Sequence, residues 1–343
     1  MSVDAGVGRV PATLEQVAAR AGVSRSTVSR VVNGGDRVSP EALESVKRAI
    51  SELNYVPNRA ARSLASRQTQ AIALVVPEDT TRFFGDPFFA AIVSGINQRL
   101  SRSEHMLNLI VASDDPGDKA TTFLAGGNVD GALVVSHHTS DTYIDRISAS
   151  VPVVFGGRPA RERPDDYFVD VDNVAGGRVA TEYLLSRGHR RIGMITGPLD
   201  MPAGIDRLTG FRDALAEGGI EPGPVGDGDF TARGGAAAMR EILDRAAAGE
   251  PLPDALFVAS DLMARGVLEV LARAGKRVPR DIAIIGFDDS PVATSVTPAL
   301  TTIRQPSLEQ GEAMADVLLA RLAGLDPPRV TILPAELVVR QSA

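Results

Sequence analysis

The chain has 343 residues, no cysteine and a formal net charge of −7. That length exceeds the roughly 250 to 300 residues at which one hydrophobic core stops growing, so a small domain plus one or two larger ones is expected. Without cysteine, disulfides, thiolate metal sites and a cysteine nucleophile are excluded, and 44% hydrophobic with 23% charged residues argues against a disordered or fibrous chain.

Met1 to Pro11 shows neither a basic region followed by an apolar run nor a small-residue cleavage site. No apolar run approaches the ~18 residues of a membrane span. A cytoplasmic protein with no membrane partner is expected. The charge is unevenly divided: Met1 to Gln70 carries ten Arg or Lys against six Asp or Glu, +4, and the remainder 26 against 37, −11. A basic head on an acidic body is the asymmetry expected when only one end meets phosphates.

In the head, Thr13-Leu14-Glu15-Gln16 reads as a capping box opening a helix to about Arg20. Ala21-Gly22-Val23 is a tight turn, and Ser24 caps a second helix to about Val32. Val17, Ala18, Val23, Val28 and Val31 are spaced to pack the pair, which leaves Arg25, Ser26, Ser29 and Arg30 outward, a polar face suited to a DNA major groove. Asn33-Gly34-Gly35 ends the second helix; Ser39-Pro40-Glu41 starts a third, with Leu43, Val46, Ile50 and Leu53 as its apolar stripe. Spacing and charge alone also fit a three-helix module that docks on protein. After Tyr55-Val56-Pro57, Asn58 can cap a helix from Arg59 to Ser66 too short to stand alone. Such a segment needs a partner, through the small faces of Ala60 and Ala61, with Leu64 free to wedge into a minor groove.

Beyond Gln70 the pattern alternates between apolar runs and helical stretches, the mark of βα units around parallel sheets. Strands are predicted at Ala71 to Pro77, Met106 to Ala112, Gly131 to Ser136, Val151 to Phe155, Tyr167 to Val171, Arg191 to Thr196, Ala255 to Ala259 and Ile282 to Phe287. Two doubly wound lobes fit better than one very wide sheet, with a cleft at the strand carboxyl ends. The chain is expected to cross near Val171-Asp172-Asn173 and return near Thr301 to Gln305 and Leu333 to Ala335. Enzyme signatures fail: there is no Walker loop, no G-x-S-x-G elbow and no G-x-G-x-x-G after the first strand. His137 and His138 sit just beyond a strand and, like His105 and His189, lack metal-ligand spacing, so a bland loop role is expected. No catalytic residue, metal or cofactor is expected.

The head resembles the lactose-repressor family in Thr13 to Ala18, Ala21 to Ser24, Thr27 to Gly34, Val38-Ser39 and Leu53 to Leu64, with order and spacing reproduced without a gap. The resemblance runs through the body, whose lobes look like those of periplasmic sugar-binding proteins. It is nearest to the cello-oligosaccharide-responsive repressors of high-GC Gram-positive bacteria, through Val76-Pro77-Glu78, Phe155 to Pro159, Val169 to Asn173 and Gly188 to Ile192. It implies an α plus α/β fold: a helix-turn-helix DNA-binding domain over 12–57, a hinge helix over 58–68, and an effector-binding and dimerisation body over 70–343. The body divides into an N-lobe of 70–171 and 304–333 and a C-lobe of 172–303 and 334–343.

By resemblance, Arg25, Ser26 and Arg30 read bases, Ser24, Thr27, Asn33 and Ser39 position phosphates, and Leu64 is a minor-groove lever; Thr13, Ser29 and Asn58 complete the DNA-facing set. In the body Arg207 grips the effector, Asp288 accepts its hydrogens and Phe230 stacks on it. Asp261, a further effector-facing candidate, follows Ser260, where sugar-binding relatives often have Asn, and Gly157 stands where some carry Asp. Arg158 is a further candidate beside Asp172, and Phe88 and Phe89 serve equally as core or as ligand shelf. The implied partners are near-palindromic operator DNA, a second copy of the chain and a small effector, a sugar acting as inducer. A corepressor-dependent regulator responding to a non-sugar ligand and a cytoplasmic solute-binding module are the alternatives; the sugar itself stays open.

Overall fold

The computed structural model describes residues 12–32, 38–55, 68–113, 115 and 117–343, which fall into two compact units, 1–70 and 71–343. Asn33, Asn58, Ala60, Ala61, Leu64 and nearly all of the expected hinge helix lie outside the described residues.

The first unit is built by local capping. In α1 (Leu14–Ala21) the Thr13 hydroxyl accepts from Gln16 N at 3.3 Å while the Gln16 side chain accepts from Thr13 N at 2.8 Å, so two helix-end amides are satisfied reciprocally. Gly22 closes the helix at φ 68, the left-handed conformation that glycine adopts without penalty. The Ser24 hydroxyl accepts from Thr27 N at 3.1 Å and starts α2 (Arg25–Val32). Ser39 and Pro40 start α3 (Pro40–Leu53), which Asn54 ends at φ 46. Val17, Ala18, Val28, Val46, Ala49 and Tyr55 are the buried core, with Val23, Val31, Ile50 and Leu53 packed against it.

The second unit has two six-stranded sheets. One is ordered β11-β5-β4-β3-β1-β2, from β1 (Ala71–Val76), β2 (Met106–Val111), β3 (Gly131–Val135), β4 (Val153–Gly156), β5 (Phe168–Val171) and β11 (Val330–Leu333), all parallel. The other is ordered β12-β10-β9-β8-β6-β7, from β6 (Ile192–Thr196), β7 (Val225–Asp227), β8 (Ala255–Val258), β9 (Ala283–Asp288), β10 (Thr301–Arg304) and β12 (Glu336–Val338), with only β12 antiparallel. The chain passes between the sheets after β5, after β10 and between β11 and β12. Both central strand sets are continuous apolar runs, as expected of sheets covered on both faces.

β7, β10, β11 and β12 go beyond the strands predicted from sequence. β10 is polar, Thr-Thr-Ile-Arg, and is buried only because the fold supplies partners: Arg340 N donates to Thr301 Oγ1 at 2.9 Å and Thr302 Oγ1 donates to Asp261 at 2.7 Å. β7, β11 and β12 are three or four residues long and lie at sheet edges.

Helices cover the sheets in close pairs made possible by glycine. In the first lobe α4 (Pro87–Leu100) packs on α5 (Ser307–Leu322), where Gly95 and Gly311 each face the other helix's backbone. In the second, α6 (Asn173–Ser186) meets α7 (Pro202–Glu217) through Gly177 and Gly210, and α8 (Ala232–Ala247) meets α9 (Asp261–Arg273) through Gly235 and Gly266. A Cβ at any of these would overlap a backbone carbonyl. Gly176-Gly177 and Gly234-Gly235, which look like turns or helix starts in sequence, stand in the opening turns of helices; Gly177 and Gly235 serve this close approach, while Gly176 faces the Phe287 ring and Gly234 the Gly228 carbonyl.

Candidate functional site

On the head, Thr13, Ser24, Arg25, Ser26, Arg30 and Ser39 are exposed, while Thr27 and Ser29 are half-buried. Ser24 Oγ lies 2.7 Å from Ser26 Oγ and 2.9 Å from Thr27 Oγ1, which gathers three hydroxyls at the start of α2. Arg25 rests against Glu15 at 3.0 Å in a pair whose Arg side chain is 73% exposed. Such an exposed pair is worth little, so the guanidinium can leave it for a base edge. A helix N-terminus with clustered hydroxyls and Arg25, with Arg30 exposed in the last turn of the same helix, offers phosphate positioning and base reading together.

In the body a cleft of about 700 Å³ of free space lies at the carboxyl ends of the parallel strands of both sheets. Arg207, 4% exposed on α7, is at its base. Its Nε donates to Asn173 Oδ1 at 2.9 Å, Nη1 to the Ala259 carbonyl at 2.6 Å and Nη2 to Gln305 Oε1 at 3.3 Å; Asp288 Oδ1 is 3.8 Å away. The guanidinium carbon stacks 3.6 Å from the Phe287 ring centroid. Gln305 Nε2 donates to Asp288 at 2.8 Å, and Asn173 Nδ2 to Asp170 at 3.1 Å. A polar relay therefore runs from Asp170 of the first lobe through Asn173, Arg207 and Gln305 to Asp288. Burial pulls the Arg207 pKa down, opposed chiefly by Asp288, and burial pushes Asp288 well above the usual carboxylate range, opposed by Arg207.

Phe230, left-handed at φ 48, lines the cleft with its ring 5.5 Å from the Arg207 guanidinium carbon; Gly197 leaves room for that ring. Ser260 lines the cleft while its hydroxyl caps α9, accepting from Met263 N at 3.2 Å. Phe88 lines it half-buried, and Phe89 is both core and wall, 2% exposed and 5.3 Å from Phe88 between ring centroids. Asp261 does not line it. Fully buried behind Ser260, it accepts from Thr302 Oγ1 at 2.7 Å and Ser290 N at 2.9 Å, and burial raises its pKa to about 7. As the first residue of α9 it points under the site and ties α9 to β10, so the sequence-based placement is corrected. Asp172 caps α6, accepting from Ala175 N at 2.9 Å.

Charged groups join the two walls. Arg158, which follows β4, lines the cleft and donates to Asp206 of α7 at 2.8 and 3.4 Å. His138, after β3, bonds Glu78 at 3.3 Å in its own lobe and Asp200 at 3.0 Å in the other; these bonds raise its pKa to about 9, the Glu78 bond most. Arg82 Nε is ion-paired with Glu78 at 3.3 Å without a hydrogen bond, and Nη1 faces Asp229 at 3.8 Å. His137 lies in the loop after β3, as expected, and there lines the cleft wall; burial lowers its pKa to about 4.

Arg82, Asp86, His137, Asp170, Asn173, Gln305 and Gln310 line the cleft without having been predicted from sequence. Asp170 and His137 at strand ends carried a signal; Asn173 and Gln310 carried none. Among the described residues no group of His, Asp and Glu could hold a metal ion, and no helix is long and apolar enough to cross a membrane.

Residues 13–58 match the bacterial regulatory proteins of the lacI family, and residues 181–343 match the periplasmic binding protein-like domain. The chain belongs to the LacI family of DNA-binding transcription regulators and is not an enzyme. It is similar to the HTH-type transcriptional regulator CelR of Thermobifida fusca, 48% identical over 339 residues that cover 96% of this chain and 98% of that protein. Among solved structures it is similar to the transcriptional regulator CelR-cellobiose complex, with 44% identity, a TM-score of 0.76 and coverage of 97% of this chain and 100% of the other. It is also similar to the lac repressor dimer bound to operator and the anti-inducer ONPF, with 29% identity, a TM-score of 0.85 and coverage of 97% and 99%.

Proposed function

We propose that the chain is a cytoplasmic repressor that binds a near-palindromic operator as a homodimer and releases it when an uncharged saccharide, cellobiose or a close oligosaccharide, fills the cleft. In this reading 12–57 binds DNA, 58–68 is the hinge and 70–343 is the sensing and pairing body. Arg207, Asp288, Phe230, Ser260 and Phe88 contact the sugar. Arg207 and Asp288 offer donors and an acceptor for hydroxyls, and Phe230 offers a ring face for sugar C–H groups.

The observation that carries this reading is the compensation of charge inside the cleft. Arg207 is enclosed by Asn173, Ala259, Gln305 and Asp288, Arg158 is paired with Asp206, and Asp170 accepts from Arg158 N at 2.8 Å. A phosphate or carboxylate would meet paired cations, whereas a polyol can join the existing bonds. A sugar touching residues of both lobes favours one lobe arrangement over another, and a coupling of roughly 1 to 3 kcal/mol per site suffices to switch operator binding.

The test is a thermal-shift and calorimetric screen of neutral and phosphorylated mono- and disaccharides. Cellobiose should raise the unfolding temperature of the body by mass action, and Arg207→Ala should erase the shift. A phosphorylated sugar as the only binder, or an unchanged response in Arg207→Ala, refutes it.

A further inference from the structure

Two neutral polar atoms of cleft-lining residues are buried and have no partner: His137 Nδ1 and Gln310 Oε1. Both residues belong to the first lobe, and both are held at the other end of the side chain. Gln310, 3% exposed on α5, donates Nε2 to the Val169 carbonyl at 2.9 Å, which fixes its amide so that Oε1 is the remaining atom. His137, 5% exposed, has Nε2 at 3.0 Å from Ala160 N and 3.2 Å from the Arg158 carbonyl. A backbone N–H always carries its hydrogen, and a proton on Nε2 would face that hydrogen head-on. The Ala160 N–H directed at Nε2 favours the tautomer with the imidazole proton on Nδ1, a donor without an acceptor, over one donating from Nε2 to the Arg158 carbonyl.

Gly156, at the end of β4, lines the cleft with them. A Cβ there would fall 2.7 Å from Met314 Sδ, one turn along α5 from Gln310, and 2.7 Å from Val135, two residues before His137. The missing side chain brings β3, β4 and α5 together at this point of the wall. Ser136 holds the approach to His137 at φ 59, unusual for a residue with a side chain, and its hydroxyl donates to Glu78 at 2.6 Å. Strained backbone kept in place beside an unsatisfied donor marks a position shaped for a ligand.

We propose that His137 and Gln310 select the effector by reading hydroxyls of one sugar residue, with Nδ1–H of His137 donating to a hydroxyl oxygen and Oε1 of Gln310 accepting a hydroxyl hydrogen. This rests on the saccharide reading of the cleft and adds which wall residues set its stereochemical choice. A site that hydrogen-bonds a hydroxyl strongly rejects an analogue lacking it, because the buried partner is then left unpaired.

The experiment measures binding of cellobiose and its monodeoxy derivatives to the full chain by calorimetry, in wild type, His137→Phe and Gln310→Met. In wild type, removal of a hydroxyl read by the pair should weaken binding about 10- to 100-fold. In each variant the loss for one derivative should shrink to within about threefold, and the two derivatives should be modified on the same sugar residue. A second measurement needs no variant: ¹⁵N spectra of the four histidines should place the His137 proton on Nδ1, and cellobiose should shift that resonance. Penalties unchanged in both variants, sensitive hydroxyls on different sugar residues, or a proton on Nε2 overturns the inference while cellobiose binding stands. Failure of wild type to bind any saccharide overturns both this inference and the reading beneath it.

Discussion

Gly176→Ala tests how tightly the effector site is tied to the packing behind it. The added methyl would lie 2.7 Å from Phe287 Cε2 and 2.9 Å from Cζ, where ordinary contact begins at 3.4 Å, so the ring must move by about 0.7 Å. Phe287 is fully buried and carries the Arg207 guanidinium 3.6 Å from its centroid. Displacing it disturbs the bonds of Arg207 to Asn173 and Ala259. Overpacking of this kind costs about 1 to 3 kcal/mol, against roughly 1 kcal/mol gained from replacing a helical glycine by alanine. The expected net is a loss of about 1 kcal/mol in unfolding free energy from urea titration, with cellobiose affinity weakened about tenfold in calorimetry because the misplaced guanidinium loses charge-assisted bonds. A variant more stable by the full propensity gain and binding within twofold of wild type would refute the coupling.

His138→Gln removes the imidazolium between Glu78 and Asp200. Because the folded pKa is raised from 6.5 to about 9, the stabilisation is fully present below pH 6.5 and disappears as pH rises through 9. Allowing for partial exposure, the stability gap between wild type and variant should be about 1 to 2 kcal/mol at pH 6 and close by pH 10 in denaturation series. A gap that widens with pH contradicts the assignment. Thr13→Ala should cost the head about 1 kcal/mol, read as an approximately fivefold loss of amide-exchange protection in α1 of the full chain. Arg30→Ala should weaken discrimination of one operator base pair by about 1 to 3 kcal/mol, whereas Ser39→Ala should weaken binding about equally to all sequences, both measured by anisotropy at fixed salt.

The head was the most legible part of the sequence because its signals are local: a reciprocal cap at Thr13 and Gln16, a left-handed glycine at 22, and Ser39 followed by Pro40. The central strands were legible as apolar runs. β10 was not, since nothing in Thr-Thr-Ile-Arg announces burial until Asp261 and Arg340 are brought to it. In the cleft, the family resemblance led to Arg207, Asp288 and Phe230, which line it, but Asn173, Gln305 and Gln310 are amides recruited by distant chain segments. Asp261 misled because adjacency to Ser260 says nothing about direction: at the start of a helix one side chain caps toward the cleft and the next turns beneath it.

The most direct measurement is the affinity of the full chain for an operator recovered by selection from random duplexes, followed by fluorescence anisotropy with and without saturating cellobiose. Cellobiose should weaken operator binding about 5- to 150-fold in wild type and leave Arg207→Ala unaffected. Operator affinity that stays constant, or tightens, at saturating cellobiose would contradict a cleft that releases DNA when it fills.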